Sequence, residues 1–173
     1  MTKALLIVFH SKTGNTRKMA EAVLMGTKHP DISGVAVRFV KAQEADAKDL
    51  TWADGLILGT PENFGYMSGM MKDFFERTFY EVEGKIPPLP FAMFISAEND
   101  GTGAELSIER IAKGYPLIKV QPSIINTGEI TPDILLKCEE LGTSMAAGLE
   151  TVSYTHLRAH ETLRFGVCRL RLE

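Results

Sequence analysis

The stretch ALLIVFHSKTGNTRKMAEAV (4–23) decides the fold. Residues 4–9 are an unbroken apolar run, as expected for a strand buried on both faces. A short polar loop follows. Residues 16–27 then read as a helix, with Met19, Val23 and Gly26 along one face and Lys18 and Glu21 outside it.

The alternation repeats downstream. His29-Pro30-Asp31 breaks the chain, and 35–40 (VAVRFV) reads as a second strand. A short helix is expected over 46–52, and a third strand over 55–60 (GLILGT). PENFGYMS is predicted as a loop. It leads into a helix over 69–80, whose Met70, Phe74 and Phe75 are spaced for burial. After a proline-rich loop come a fourth strand (91–97, FAMFISA), the loop ENDGTG and a helix over 104–113. A fifth strand over 117–125 is interrupted by Pro122, which cannot donate to a ladder, so this strand belongs at a sheet edge. Thr131 suits an N-cap and Pro132 the first turn of a last helix reaching about Leu149. Strands alternating with helices imply an α/β three-layer sandwich, a five-stranded parallel sheet in the flavodoxin-like order 2-1-3-4-5. Ligands of such sheets bind beyond the carboxyl ends of the strands, which points to the loops after strands 1, 3 and 4.

Composition sets the outer limits. The chain of 173 residues is 45% hydrophobic and 24% charged, which excludes a disordered or low-complexity protein. No apolar run approaches the ~20 residues that span a bilayer, and no signal peptide is visible, so no membrane partner and a cytoplasmic location are expected. The net charge of −3 argues against a nucleic-acid partner. Two cysteines, Cys138 and Cys168, make neither a disulfide framework nor a metal site, and no metal is expected. Cys138 reads as a buried small hydrophobe.

Residues 1–152 are read as one domain and 153–173 as a separate tail. The tail holds four of the eight arginines, and no lysine follows Lys137. With Glu161 and Glu173 it carries +2, leaving −5 on the body. VSYTHLRAHETLRFGVCRLRLE (152–173) resembles a translated sequencing-adapter peptide found at the ends of unrelated environmental sequences, and is set aside from the fold as non-native. The alternative is a basic tail that binds a partner.

Loop one is Ser11-Lys12-Thr13-Gly14-Asn15-Thr16. Its three hydroxyls are expected to converge on a small anion, Gly14 permits close backbone approach, and the helix N-terminus supplies free N–H groups. Neither a Walker A loop nor GxGxxG is present. The plain alternative is an ordinary capped turn. His10 is the only histidine near this loop, and a lone histidine is more often structural than catalytic.

The pattern S/T-x-T-G-x-T resembles the FMN phosphate loop of flavodoxins, and the resemblance extends over about residues 3–150. Gly59-Thr60-Pro61-Glu62-Asn63-Phe64-Gly65-Tyr66-Met67-Ser68-Gly69-Met70-Met71-Lys72 resembles the second FMN loop of flavin-dependent NAD(P)H:quinone oxidoreductases and related FMN reductases. The resemblance implies FMN as cofactor. Loop one would hold its phosphate through Ser11, Thr13, Gly14, Asn15 and Thr16. Backbone groups of Pro61, Glu62, Asn63, Phe64 and Gly65 would meet the ring and ribityl chain, with the Phe64 ring as an aromatic face. Ser96, Asn99, Asp100 and Gly101 of loop three would wrap the other edge.

The implied function is transfer of electrons from NADH or NADPH, through FMN, to a quinone or similar small acceptor. No side chain is required as catalytic acid or base, because the flavin carries the chemistry. The alternative is a non-enzymatic carrier of the flavodoxin type that docks a redox partner protein. A homodimer is the assembly to test.

Overall fold

The computed structural model describes residues 1–154. Its strands are β1 (Lys3–Phe9), β2 (Val35–Lys41), β3 (Gly55–Asn63), β4 (Tyr66–Met67), β5 (Leu89–Ala97), β6 (Leu117–Lys119) and β7 (Ile124–Thr127). The helices are α1 (Asn15–Gly26), α2 (Ala47–Trp52), α3 (Gly69–Val82), α4 (Thr102–Ala112) and α5 (Pro132–Tyr154). The parallel sheet runs β2-β1-β3-β5, with β6 and then β7 pairing along the far edge of β5. This is the expected 2-1-3-4-5 order. The fifth position is two short strands, because the chain leaves the ladder around Pro122.

Alternation along the strands builds two cores. Leu5, Ile7 and Phe9 of β1, Ile57 of β3, and Ala92 and Phe94 of β5 pack under α1 and α5. Leu6, Val8, Leu56, Leu58, Phe91, Met93 and Ile95 pack on the other face with α2, α3 and α4. Residues 4–9, 55–60 and 91–97 of the central strands are all buried on one face or the other, which explains the unbroken apolar runs. Register lines up the carboxyl ends: Phe9 sits opposite Lys41 on one side and Gly59 on the other, and Pro61 sits opposite Ser96.

Three local expectations change. PENFGYMS is not all loop: β3 continues to Asn63 and pairs antiparallel with β4, Glu62 with Met67 and Asn63 with Tyr66. Met70 is exposed and Met71 is buried instead. The cause is helical phase. Ser68 caps α3, its Oγ accepting from the Met71 N–H at 3.2 Å, and the buried stripe becomes Met71, Phe74, Phe75, Thr78 and Val82. The last helix runs past Leu149 to Tyr154, so it crosses the expected boundary at 152. The tail from residue 155 onward lies outside the described residues. Thr131 does cap this helix, its Oγ1 accepting from the Ile134 N–H at 3.3 Å. Among the described residues no helix is long and apolar enough to cross a membrane.

α1 and α5 touch backbone to backbone. A Cβ added at Gly26 would lie 1.8 Å from the Glu139 carbonyl oxygen, and one at Gly142 would lie 1.9 Å from that of Val23. Thr143 adds a bond at this crossing, its hydroxyl donating to the Gly26 carbonyl at 2.9 Å. Replacing Gly142 with Ala should therefore lower stability by about 1–3 kcal/mol through overpacking. Gly148→Ala, in open space on the same helix, should raise it by about 0.5–1 kcal/mol through helix propensity. Denaturant midpoints of the two variants check this; a Gly142→Ala protein as stable as Gly148→Ala would refute the close contact.

Candidate functional site

Loop one begins where β1 ends. The His10 N–H still donates to the Gly59 carbonyl at 2.9 Å, so the ladder carries the chain to Ser11. Gly14 then turns left-handed at φ 107° and becomes the N-cap of α1. Its N–H donates to Ser11 Oγ at 3.2 Å. Because the cap is a glycine, no side chain closes the helix end, and the first turn contains no acidic residue. Among the described residues the N–H groups of Asn15, Thr16 and Arg17 meet no protein acceptor. Free donors at the positive end of a helix dipole form an anion site.

The three hydroxyls do not stand alike. Ser11 and Thr13, with Lys12, Gly14, Arg17 and Lys41, line a cavity of about 280 Å³ floored by Phe9. Thr16 is buried under the first turn and is not part of that lining. Asn15 instead lines a second hollow with Lys18, Glu98, Gly128, Glu129 and Ile130. It therefore links loop one to loop three and to the loop after β7. The sequence reading missed Lys12, Arg17 and Lys41, and missed the β7 loop. A basic residue within or just after the phosphate-loop pattern was the available signal for Lys12 and Arg17.

Loop two is a tight hairpin. Phe64 (φ 53°) and Gly65 (φ 67°) form its corner, both left-handed, as a two-residue type I′ turn requires. For a bulky residue such as Phe64 this conformation costs of order 1–3 kcal/mol. Buried hydroxyls hold the turn in place. Thr60 Oγ1 donates to the Pro61 carbonyl and accepts from the Ser68 N–H at 3.0 Å, and Ser107 Oγ accepts from the Met67 N–H at 3.1 Å. The outcome is an aromatic ring with no cover: Phe64 is 107% exposed.

Loop three joins loop two through α4. Gly101 (φ 73°) caps that helix without a side chain. The Glu62 carboxylate supplies the cap from 41 residues away, accepting from the N–H groups of Gly103 at 3.1 Å and Ala104 at 3.3 Å. One carboxylate oxygen of Glu62, Oε2, thus holds the first turn of α4. Gly103 in turn fits against Gly65, whose carbonyl oxygen would lie 1.9 Å from an added Cβ. Asp100 is turned onto Thr102, accepting from its hydroxyl at 2.8 Å and its N–H at 3.1 Å. These bonds, the N–H first, hold the Asp100 carboxyl below the usual carboxylate range. Asn99 is exposed, and Ser96 is buried at the end of β5. Cys138 is far from this chemistry: burial pushes its thiol up to about 12.

Replacing Glu62 with Ala should cost about 0.5–2 kcal/mol, the loss of a helix cap. It should also speed amide exchange at Gly103 and Ala104, and unchanged exchange there would show that the cap is idle. His10 gives a pH prediction. Its Nδ1 is buried without a partner among the described residues. Burial first, and then the Lys12 charge, push its pKa below 6.5. The unfolded chain therefore takes up the proton before the folded one. Stability present above pH 6.5 should decline as pH falls below that value. Denaturant titrations of the wild type and His10→Gln between neutral and mildly acidic pH check this, since the variant should lose that part of the decline.

Known proteins bear on this arrangement. The model of the NADPH-dependent FMN reductase family matches residues 40–108, which contain loops two and three. The chain is 31% identical over 171 aligned positions to an NAD(P)H dehydrogenase (quinone) of Syntrophobacter fumaroxidans, covering 83% of each protein. It is 37% identical over 102 residues to a flavodoxin of Aquifex aeolicus, covering 59% of this chain and 54% of that protein. A flavodoxin structure from the domain Archaea superposes with a TM-score of 0.72 at 22% identity, covering 85% of this chain and 99% of the other; at that identity the likeness shows the fold. The chain spans between about half and two thirds of the length of the first relatives it matches. The quinone dehydrogenase of Syntrophobacter is matched at 31% identity over most of both chains, and the chain belongs to the flavodoxin-like NAD(P)H dehydrogenase (quinone) family.

Proposed function

We propose that this protein is an FMN-dependent oxidoreductase that takes electrons from NADH or NADPH and delivers them to a quinone or similar small acceptor. The observation that carries the reading is the bare N-terminus of α1, where three N–H groups and the Ser11 and Thr13 hydroxyls await an anion. The residues present fit the flavin. An added Cβ at Gly14 would meet no atom within 4 Å, so the loop is open on the side a phosphate would use. The uncovered Phe64 ring, held on a strained turn, suits a flat aromatic ligand.

When bound, FMN supplies the redox chemistry, accepting hydride from the nicotinamide and passing electrons on. The chain's own residues bind and orient. Ser11, Thr13 and the N–H groups of Asn15, Thr16 and Arg17 would fix the phosphate. Backbone groups of Pro61, Glu62, Asn63 and Gly65 would face the ring and ribityl chain, and loop three, from Ser96 through Asn99 and Asp100 to Gly101, would close the far edge. His10, its pKa lowered by burial and then by the Lys12 charge, stands at the start of the phosphate loop. Thr60, Ser107 and Glu62 act indirectly, by holding loops two and three in one fixed relation.

The match of the reductase family model to loops two and three favours turnover over simple carriage. A carrier of the flavodoxin type is the second reading, supported by the Aquifex relative. Anaerobic mixing of the FMN-loaded protein with NADH or NADPH, following the visible absorbance of oxidised flavin, separates them. Rapid bleaching is expected. A flavin that dithionite reduces and neither nicotinamide does would overturn the reductase reading in favour of the carrier.

A further inference from the structure

The outer side of the α1–α5 pair is left open. α1 offers Lys18, Glu21, Ala22 and Met25 there, and α5 offers Pro132, Leu135, Leu136 and Glu139, across a groove of about 550 Å³. Each set is spaced i, i+3, i+4 and i+7, the four positions that frame a hole for a side chain of a facing helix. Ala22 and Leu135 are partly buried against the core beneath. Met25 and Leu136 stand on the rims, 59% and 56% exposed. The helices cannot close the gap by moving together, because the carbonyl contacts at Gly26 and Gly142 already set their separation. The groove is therefore preformed and apolar, and it carries its own projecting side chains.

Charge is distributed unevenly along it. Glu21 is taken by Arg17 at 2.9 Å. The side chains of Lys18 and Glu139 make no ion pair among the described residues. They mark opposite ends of the groove. Glu139 lies against the last turn of α1, where its carbonyl meets Gly26. Lys18 precedes Gly26 by eight residues, about 12 Å of helix.

We propose that this groove is the face through which two copies of the chain pair about a two-fold axis. An isologous contact asks one patch to supply both the projecting side chains and the hollows that receive them. Here Met25 and Leu136 are the projections, and the two sets of four are the hollows. The axis that brings Lys18 to Glu139 of the partner subunit also brings Glu139 to the partner's Lys18, so one rotation pairs both free charges. The other face of the sheet carries α3 and α4, which support loops two and three, so pairing through α1 and α5 leaves Phe64 uncovered. The inference does not depend on what those loops bind.

Sedimentation velocity of the full chain across a micromolar concentration series tests it. The wild type should pass from monomer to dimer. Leu136→Glu should remain monomeric throughout, since its carboxylate would be buried in the partner's groove without a counter-charge. Lys18→Glu and Glu139→Lys should each weaken pairing about ten- to hundredfold, because symmetry repeats each change and turns two attractions into two repulsions. The variant carrying both changes should recover to within about threefold of the wild type. All three positions are exposed, and thermal unfolding run alongside checks that each variant is folded. A wild type that stays monomeric overturns the proposal and gives the groove to the chain's own residues 155–173 or to a different protein. A dimer that Leu136→Glu leaves intact overturns it too, as does a double variant that pairs no better than the single ones.

Discussion

The backbone contact between α1 and α5 is the constraint on which the site depends. With no Cβ at Gly26 or Gly142, the two helices meet at carbonyl distance and fill one face of the sheet together. Close approach fixes the line of α1, and that line decides where its N-terminus emerges. β1 delivers the chain to the same point from below, since its ladder to β3 runs on through the His10 N–H. Loop one is six residues held between two rigid elements. Its free donors are thus pre-set, and an anion arriving there need not order them.

The second half of the site is held in a different way. Loop two keeps a bulky residue in a left-handed conformation, which an isolated hairpin would relax. Its supports come from outside: Thr60 below, Ser107 from α4, and the Gly65–Gly103 contact. Glu62 closes the circle by capping the helix that carries Ser107. Loops two and three are therefore one mechanical unit. A change at Gly103 or Glu62 acts on Phe64 without touching any ligand, and the strain at Phe64 persists because several buried bonds over-determine it.

What the sequence discloses follows from how local each signal is. Loop one is legible because strand, glycine and hydroxyls are contiguous and the helix they open is amphipathic. Thr131-Pro132 marks α5 for the same reason. The hairpin at Phe64-Gly65 was hidden, because such turns usually announce themselves by Asn-Gly or Asp-Gly, and here the left-handed position falls to phenylalanine. Met70 and Met71 differ by one step of helical phase, which the cap at Ser68 sets and periodicity alone does not. The cap from Glu62 and the arrival of Lys41 are invisible locally. One joins residues 41 apart, and the other depends on parallel register.

Charge gives the site a direction. The β2 end of the carboxyl edge carries Lys12, Arg17 and Lys41, whereas the β5 and β7 end carries Glu98, Asp100 and Glu129. The chain is acidic overall, so clustered ammonium groups at one end stand against its average field. A ligand with a charged tail and a flat neutral head would be steered with its tail toward these cations. At the other end Glu98 and Glu129 share their hollow with Lys18, so repulsion of an anion there is partial, and the basic cluster by loop one is the stronger attractor.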